Sequence, residues 1–258
     1  MKLYFRYFMI QLKSQMQYKI SFFFTMMGQL ITSFSAFLGI FFLMRRFHAV
    51  EGFTMNEVML CFAAVLMAFS IAECFARGFD RFAPMLGNGE FDRIMVRPRN
   101  VILQVLGSKI EFTRLGRFLQ ALVMFCIILP RCGVIWTWDK ILTLALMILG
   151  GTIVFTGLFI IYASVCFFTT EGLEFMNIFT DGGRQFGAYP LAIYGEGILQ
   201  FCTFVVPLAL CQYYPMLYLT GRTDMITYSL LPLLSAVFLI PCLLLWRLGI
   251  RHYKSTGS

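Results

Sequence analysis

The chain has 258 residues, of which 59% are hydrophobic and only 13% are charged, and its formal net charge is +8. About a quarter of the residues of an ordinary soluble domain are charged, so this composition excludes that class and predicts a membrane protein. The basic residues stand in loops beside apolar runs instead of forming one water-facing patch. The charge therefore indicates orientation in a membrane and argues against a nucleic-acid partner.

Residues 1–19 are predicted to form a helix that lies at the cytoplasmic membrane interface. On a helical projection, four apolar side chains share one arc and three cationic side chains share the neighbouring arc. The apolar set is Phe5, Phe8, Leu12 and Met16, and the cationic set is Lys2, Arg6 and Lys13. The alternative is that this segment is only a charged cytoplasmic end of the first span.

Apolar stretches further along the chain predict six transmembrane helices, and hence an all-α polytopic membrane protein. A helix needs about 20 apolar residues to cross a hydrocarbon core about 30 Å thick. The second span requires Glu73 to lie near the membrane surface or to face protein, and the third requires Arg114 and Arg117 to reach the headgroups. The predicted spans are residues 20–44, 56–76, 112–130, 140–167, 197–214 and 226–247, all within one transmembrane domain of residues 20–250.

Six spans place both termini on the same side of the membrane, and the side richer in Lys and Arg is cytoplasmic. Most of the 21 Lys and Arg residues collect on the side of the termini. The first apolar run is too long for a signal peptide, so we expect the first span to remain in the mature protein. The predicted cytoplasmic parts are the coupling loop 77–111, a second loop 171–196 and the tail 251–258.

Motifs for catalysis or metal binding are missing from the sequence. The two histidines, His48 and His252, stand in a loop and in the tail, and the eight cysteines include no CxxC pair. There is no GxSxG elbow and no GxxxxGK[ST] phosphate loop, so we expect neither catalysis nor a bound cofactor or metal in this chain. Glu73 is the one acidic candidate inside a span, and an ion pair with Arg77, one helical turn later, is its simplest explanation.

Three groups of residues in the predicted loops form a recognisable pattern. The first loop reads GEFDRIMVRPRN from Gly89, followed by Leu115-Gly116-Arg117; the second holds Gly183-Arg184 and Tyr189-Pro190-Leu191; the fifth span ends with Tyr213-Tyr214-Pro215, Tyr218 and Gly221-Arg222. Together they resemble the ABC-2 type transporter permeases, specifically the bacterial branch with a six-span membrane subunit and a separately encoded ATPase. The resemblance runs from about residue 5 to 250.

This resemblance implies roles for three sets of residues. A coupling helix that fits a cleft on the ATPase would comprise Gly89, Glu90, Phe91, Asp92, Arg93, Ile94, Met95, Arg97 and Pro98. Gly183, Arg184, Tyr189 and Pro190 would make a secondary cytoplasmic contact, and Pro207, Tyr213, Tyr214, Pro215 and Tyr218 would form an extracellular gate at a re-entrant hairpin. Within the first set, Phe91, Ile94 and Met95 are predicted to anchor the ATPase through apolar contacts. The alternative is a solvated basic loop that only obeys the positive-inside rule.

The resemblance also implies the partners and the location. Two ABC ATPase subunits would bind ATP and Mg²⁺, a second permease, identical or related, would complete the pathway, and the chain would lie in a bacterial cell membrane. The implied function is export of an amphipathic drug, peptide or lipid. An ATP-independent channel or secondary carrier remains the alternative, although it would more often show intramembrane charges or inverted repeats. A membrane-embedded enzyme would need a buried acid, base or metal set, and none is apparent in the sequence.

Overall fold

The computed structural model describes residues 2–47, 49–50, 52–169 and 176–253, and this part of the chain is almost entirely helical. Its α-helices are α1 (Lys2–Gln17), α2 (Lys19–Phe47), α3 (Met55–Phe75), α4 (Arg77–Asp80), α5 (Phe82–Gly87), α6 (Glu90–Met95), α7 (Val101–Ser108), α8 (Leu115–Ile128), α9 (Trp138–Thr169), α10 (Met176–Phe186), α11 (Glu196–Phe204), α12 (Leu208–Cys211), α13 (Tyr213–Leu219), α14 (Thr227–Leu230) and α15 (Ser235–His252). Predictions that concern His48, the segment 170–175 or the tail 254–258 lie outside the described residues.

Short elements connect these helices. The 3-10 turns are Phe112–Arg114, Leu129–Arg131, Leu191–Tyr194 and Leu231–Leu234, and the strands β1 (Ala49–Val50) and β2 (Phe53–Thr54) form an antiparallel ribbon of two residues each. Helix α3 begins with a capping box, in which Thr54 and Glu57 satisfy each other's backbone N–H groups. The ribbon and this cap together fix where α3 starts.

Five helical segments among the described residues are long and apolar enough to cross a membrane. They are Lys19–Arg46, Met55–Phe75, Phe112–Arg131, Trp138–Thr169 and Thr227–His252. Each overlaps one predicted span, and a sixth is present if a bent pair of helices is counted as one. The predicted fold class, an all-α polytopic membrane protein, is confirmed.

Helix α3 lies at the centre of the bundle, and α2 lies at its rim. The most apolar window of α3 is 89% buried, whereas that of α2 is only 11% buried. Helices α8 and α9 pack against α3, and α15 packs along α9. Small residues permit the close approach: a Cβ on Gly151 would lie 2.9 Å from Ala68 of α3, and one on Gly249 of α15 would overlap the Phe167 ring of α9.

The predicted span 197–214 is not one straight helix. Helix α11 and the segment Leu208–Leu219 meet at an angle of 85°. Pro207 has no backbone N–H to donate, and the N–H groups of Val205 and Val206 both reach the carbonyl of Phe201. The helical hydrogen-bond pattern therefore ends at this point, and the predicted fifth span consists of two helical segments.

The predicted loop 171–196 also needs correction, because its described part is largely helical and packs inside the bundle. In α10, Arg184 stacks over the ring of Phe69, at 5.4 Å from its centroid. Just after α10, a Cβ on Gly187 would lie 3.2 Å from the side chain of Val65. Phe69 and Val65 belong to the interior of α3. A search for long apolar stretches overlooks α10 because this helix is amphipathic, with polar side chains between its apolar ones.

Helix α1 is tied to the segment between α7 and α8. Its Gln11 and Gln15 side chains donate hydrogen bonds to the carbonyls of Ser108 and Ile110, at 2.7 and 2.5 Å. Phe8 packs edge-on against Phe112, with ring centroids 4.9 Å apart. Part of the apolar arc of α1 therefore contacts protein, and its location at a membrane interface stays a prediction.

Candidate functional site

A buried cluster of charges lies at the C-terminal end of α3. The Glu73 carboxylate, in a residue only 3% exposed, is 2.6 Å from Arg117, 3.1 Å from Arg77 and 3.5 Å from Arg114. Arg114 also donates a hydrogen bond of 2.8 Å to Gln29 of α2. Because an unpaired charge is very costly to bury, this one carboxylate holds three helical segments, α3, α4 and the start of α8, around a common point.

Two further carboxylates complete the pairing. Asp80 lies 2.5 Å from Arg77, and Glu111 lies 3.0 Å from Arg77 and 3.1 Å from Arg114. Burial raises the pKa of Asp80, against the opposing effect of Arg77. Burial acts in the same direction on Glu111, but Arg114 and Arg77 outweigh it and hold the pKa of this carboxyl below its ordinary value.

The cluster corrects the prediction that Arg114 and Arg117 extend to the headgroups. Both residues are only 8% exposed, and their guanidinium groups point to Glu73 instead. The sequence did suggest Arg77 as the partner of Glu73, because the two are one helical turn apart, and the structure shows this ion pair. Arg114 and Arg117 are far from Glu73 along the chain, and the local sequence does not indicate that they pair with it.

The predicted coupling segment forms the short helix α6, which begins after Gly89 in a left-handed conformation with φ of 68°. Phe91 is completely buried, and its ring lies 5.1 Å from Phe82, 5.2 Å from Phe167 and 5.1 Å from Tyr253. Ile94 is buried as well. The prediction that these two side chains anchor the ATPase is therefore wrong, because both are buried in the protein core, where Phe91 attaches the loop to α9 and to Tyr253 after α15.

The opposite side of this loop is exposed. We call five of its exposed residues the loop tip: Glu90, Arg93, Met95, Val96 and Arg97. Val96 is 85% exposed, although it is apolar, and it stands between side chains of both signs. Sequence reasoning missed Val96, and the only available signal was an apolar residue in the middle of a charged loop. Pro98, also exposed, follows the tip.

Hydrogen bonds hold the loop tip in place from two sides. Asp92 accepts a hydrogen bond of 2.9 Å from the hydroxyl of Tyr253, just after α15. Burial and this hydrogen bond together raise the pKa of Tyr253 to about 12. From the other side, Gln104 of α7 donates to the carbonyls of Ile94 and Arg99, at 3.3 and 3.2 Å. The tip is therefore attached to the last membrane-spanning helix as well as to α7.

The predicted gate residues lie around the break after α11. Pro207 is at the break itself, and Pro215 is buried in α13. The Tyr214 ring lies between those of Tyr213 and Tyr228, at 5.4 and 5.5 Å. Tyr218 donates a hydrogen bond of 2.7 Å to Asp139 at the start of α9. Tyr218 is thus attached to the N-terminal end of α9.

The four residues predicted as a secondary cytoplasmic contact do not form an exposed surface. Gly183 and Pro190 are buried, and Arg184 lies over an α3 phenylalanine ring. The carbonyl of Tyr189 accepts a hydrogen bond of 2.8 Å from the Gln212 side chain, which also donates to Gly187 at 3.2 Å. These contacts join the end of α10 to α13 inside the bundle.

Two cavities adjoin the charge cluster. One, of about 270 Å³, is lined almost entirely by its charged side chains together with Tyr162, Asn177 and Asp181. The other, of about 380 Å³, opens between α2, α3 and the end of α10. Arg117 lines both, so the charged end of the bundle is next to a space that extends along α2.

Comparison with protein families decides the identification. A family model described as ABC-2 family transporter protein matches residues 30–257. The chain belongs to the ABC-2 transporter family. No curated protein and no solved structure matches the chain significantly. The resemblance found in the loop motifs is thus confirmed over most of the chain.

Membership defines the general role of this ABC-2 protein. It is a multi-pass membrane protein and a permease component of an ABC transporter. ABC-2 permeases are membrane subunits without an ATPase site of their own, and they work with an ABC ATPase. Among the described residues, no group of His, Cys, Asp or Glu is arranged to hold a metal ion.

Proposed function

We propose that this chain couples ATP hydrolysis by two separate ABC ATPase subunits to the export of an amphipathic substrate, and that it works with a second permease, identical or related, in a bacterial cell membrane. The ATPase subunits bind ATP and Mg²⁺ and dock on the loop tip. Both termini face the cytoplasm, on the same side as the tip. Family membership supports the partnership, and the construction of α6 supports the docking site.

The two-sided structure of α6 carries this proposal. One side presents Glu90, Arg93 and Val96 to solvent, and this combination of an apolar centre with charges of both signs suits a specific protein contact. The other side inserts Phe91 among rings from α9 and from the end of α15. Because packed aromatic groups do not deform gradually, a displacement of the tip would move both spans with it.

A paired substitution in the loop tip tests the docking. We expect Arg93→Ala combined with Val96→Asp to weaken association with the ABC ATPase about 30-fold, because exposed arginines and apolar groups at the centre of an interface contribute most of the binding energy. The measurement is co-purification of the ATPase with the full chain from detergent-solubilised membranes, followed by titration of the separated subunits.

The matched control is Arg131→Ala combined with Ile135→Asp. These two residues are also exposed, but they lie between α8 and α9, away from the tip. Unchanged ATPase affinity in the tip variant would contradict the proposed docking site. Substrate flux through the purified chain without any ATPase would instead favour the channel or secondary carrier.

A further inference from the structure

The cavity beside α2 has one polar end and one apolar end. Arg117, Arg184 and Ser33 line the polar end, whereas Ile40 and Phe62 line the apolar part. Its volume of about 380 Å³ lies within the range of small-molecule sites, which combine mostly apolar walls with a few polar groups that fix orientation. The loop tip and the aromatic gate lie elsewhere in the fold.

Among the residues that the structure describes, positive charge is in excess around the polar end. The two adjoining cavities are lined by five arginines, Arg77, Arg81, Arg114, Arg117 and Arg184, and by three carboxylates, Glu73, Asp80 and Asp181. Glu111, just outside the lining, pairs with two of these arginines and leaves one positive charge in excess. An anion would therefore be attracted to this end of the cavity, and a cation would be repelled.

Arg184, which lines the larger cavity, is only weakly paired. Its nearest carboxylate, Asp181, is 3.7 Å away, and that side chain is 55% exposed and so well screened by water. The Nε atom of Arg184 is buried and has no hydrogen-bond partner within the described part of the chain. Ser33, which is only 2% exposed, likewise has a hydroxyl without a partner there. Both residues line the cavity, so its wall holds polar side chains that other protein groups do not saturate.

We propose that this cavity binds an anionic amphiphile as the transported substrate. A phosphate, sulfate or carboxylate headgroup accepts hydrogen bonds from Arg184, Arg117 and Ser33, and the apolar tail extends along Ile40 and Phe62. Guanidinium groups suit this role because their planar donors match the oxygens of such headgroups. The claim that this ligand is the transported substrate rests on the proposed export function. A free inorganic anion would leave the apolar part of the cavity unused.

Binding of dodecyl phosphate to the full chain, purified in a neutral detergent, tests the inference. We expect saturable binding in isothermal titration calorimetry, and no saturable binding of dodecyltrimethylammonium or of inorganic phosphate. Arg184→Gln should weaken dodecyl phosphate binding at least tenfold, because the loss of one charged hydrogen-bond donor costs about one order of magnitude or more in affinity. Arg184→Lys should keep part of the affinity because it retains the charge.

The control variant is Arg131→Gln, which removes an exposed positive charge outside the cavity and should bind dodecyl phosphate like the original chain. Equal binding of the cationic amphiphile, or full affinity in the Arg184→Gln variant, would overturn the inference. Arginine-dependent binding of inorganic phosphate alone would show a free-anion site instead. Displacement by added phosphatidylglycerol, itself an anionic amphiphile with a phosphate headgroup, would support the inference.

A different result would refute the proposed function. The titration contains no ATPase, so it is independent of whether the loop tip docks one. A chain that binds dodecyl phosphate but no ATPase would refute the exporter and keep the anion site. A chain that docks an ATPase and binds only the cationic amphiphile would keep the exporter and refute the anion site.

Discussion

Replacement of Glu73 by glutamine is expected to lower the free energy of unfolding by about 3–5 kcal/mol, the usual cost of removing one partner from a buried ion pair. The carboxylate is 2.6 Å from Arg117 and also contacts Arg77 and Arg114. Its loss leaves three buried guanidinium groups with only Asp80 and Glu111 to balance them. The measurement is unfolding of the detergent-purified chain by titration with a denaturing detergent, followed by circular dichroism.

The control for this prediction is Glu90→Gln, which neutralises an exposed carboxylate in the loop tip. Its effect should stay within about 0.5 kcal/mol, as is usual for surface substitutions away from special features. If the two glutamine variants were equally stable, the charge cluster would not be the structural centre of this end of the bundle.

Replacement of Phe91 by alanine is the second change with a large expected effect, a loss of about 3–5 kcal/mol of stability. The ring is completely buried and contacts Phe82, Phe167 and Tyr253. Its removal leaves a cavity that the neighbouring rings, fixed to three separate elements, cannot fill. Because this ring also connects the loop to α9 and α15, we expect the variant to hydrolyse ATP in complex with its ATPase but to transport poorly.

Two variants separate these effects. Phe91→Leu keeps most of the apolar volume and should recover most of the stability, whereas Met95→Ala, in the exposed tip, should leave stability nearly unchanged. The ratio of transport to ATP hydrolysis, measured in proteoliposomes, reports coupling independently of stability. A Phe91→Ala variant with full stability would contradict the observed packing, and one with a normal ratio would contradict transmission through this ring.

The long spans were predictable because each one is determined locally. Residues 141–169 and 225–246, which form most of α9 and α15, contain no charged residue, and an isolated stretch of this length satisfies its own backbone in lipid by forming a helix. The loop motifs likewise led to the family, since three of them stand in the right order. Length and apolarity therefore suffice for the fold class, and the loop motifs for the general role.

The interior arrangement was not predictable in the same way. Glu73 and Arg117 are 44 residues apart, and nothing in either local sequence indicates that they meet. Helix α10 is amphipathic like a surface helix, but its Arg184 stacks over the ring of Phe69 inside the bundle. Such pairs become visible only after tertiary packing, which selects partners that chain order does not reveal.

The coupling segment shows a smaller failure of the same kind. The sequence predicted an exposed docking segment here, but Phe91 and Ile94 were assigned to its exposed side and are buried. A helix of six residues is too short for its periodicity to show which face is buried. The exposed apolar residues are Met95 and Val96, at the end of the helix, whereas Phe91 and Ile94 are buried in the core.

Transport in inside-out vesicles is the most direct test of ATP-driven coupling through the loop tip. The vesicles contain the full chain with its ABC ATPase, and the measured quantity is uptake of a fluorescent single-chain amphiphile. We predict uptake that requires ATP, that persists in the Arg131→Ala, Ile135→Asp control and that is lost in the Arg93→Ala, Val96→Asp variant. Uptake that proceeds equally without ATP, or that survives in the tip variant, would contradict the proposed mechanism.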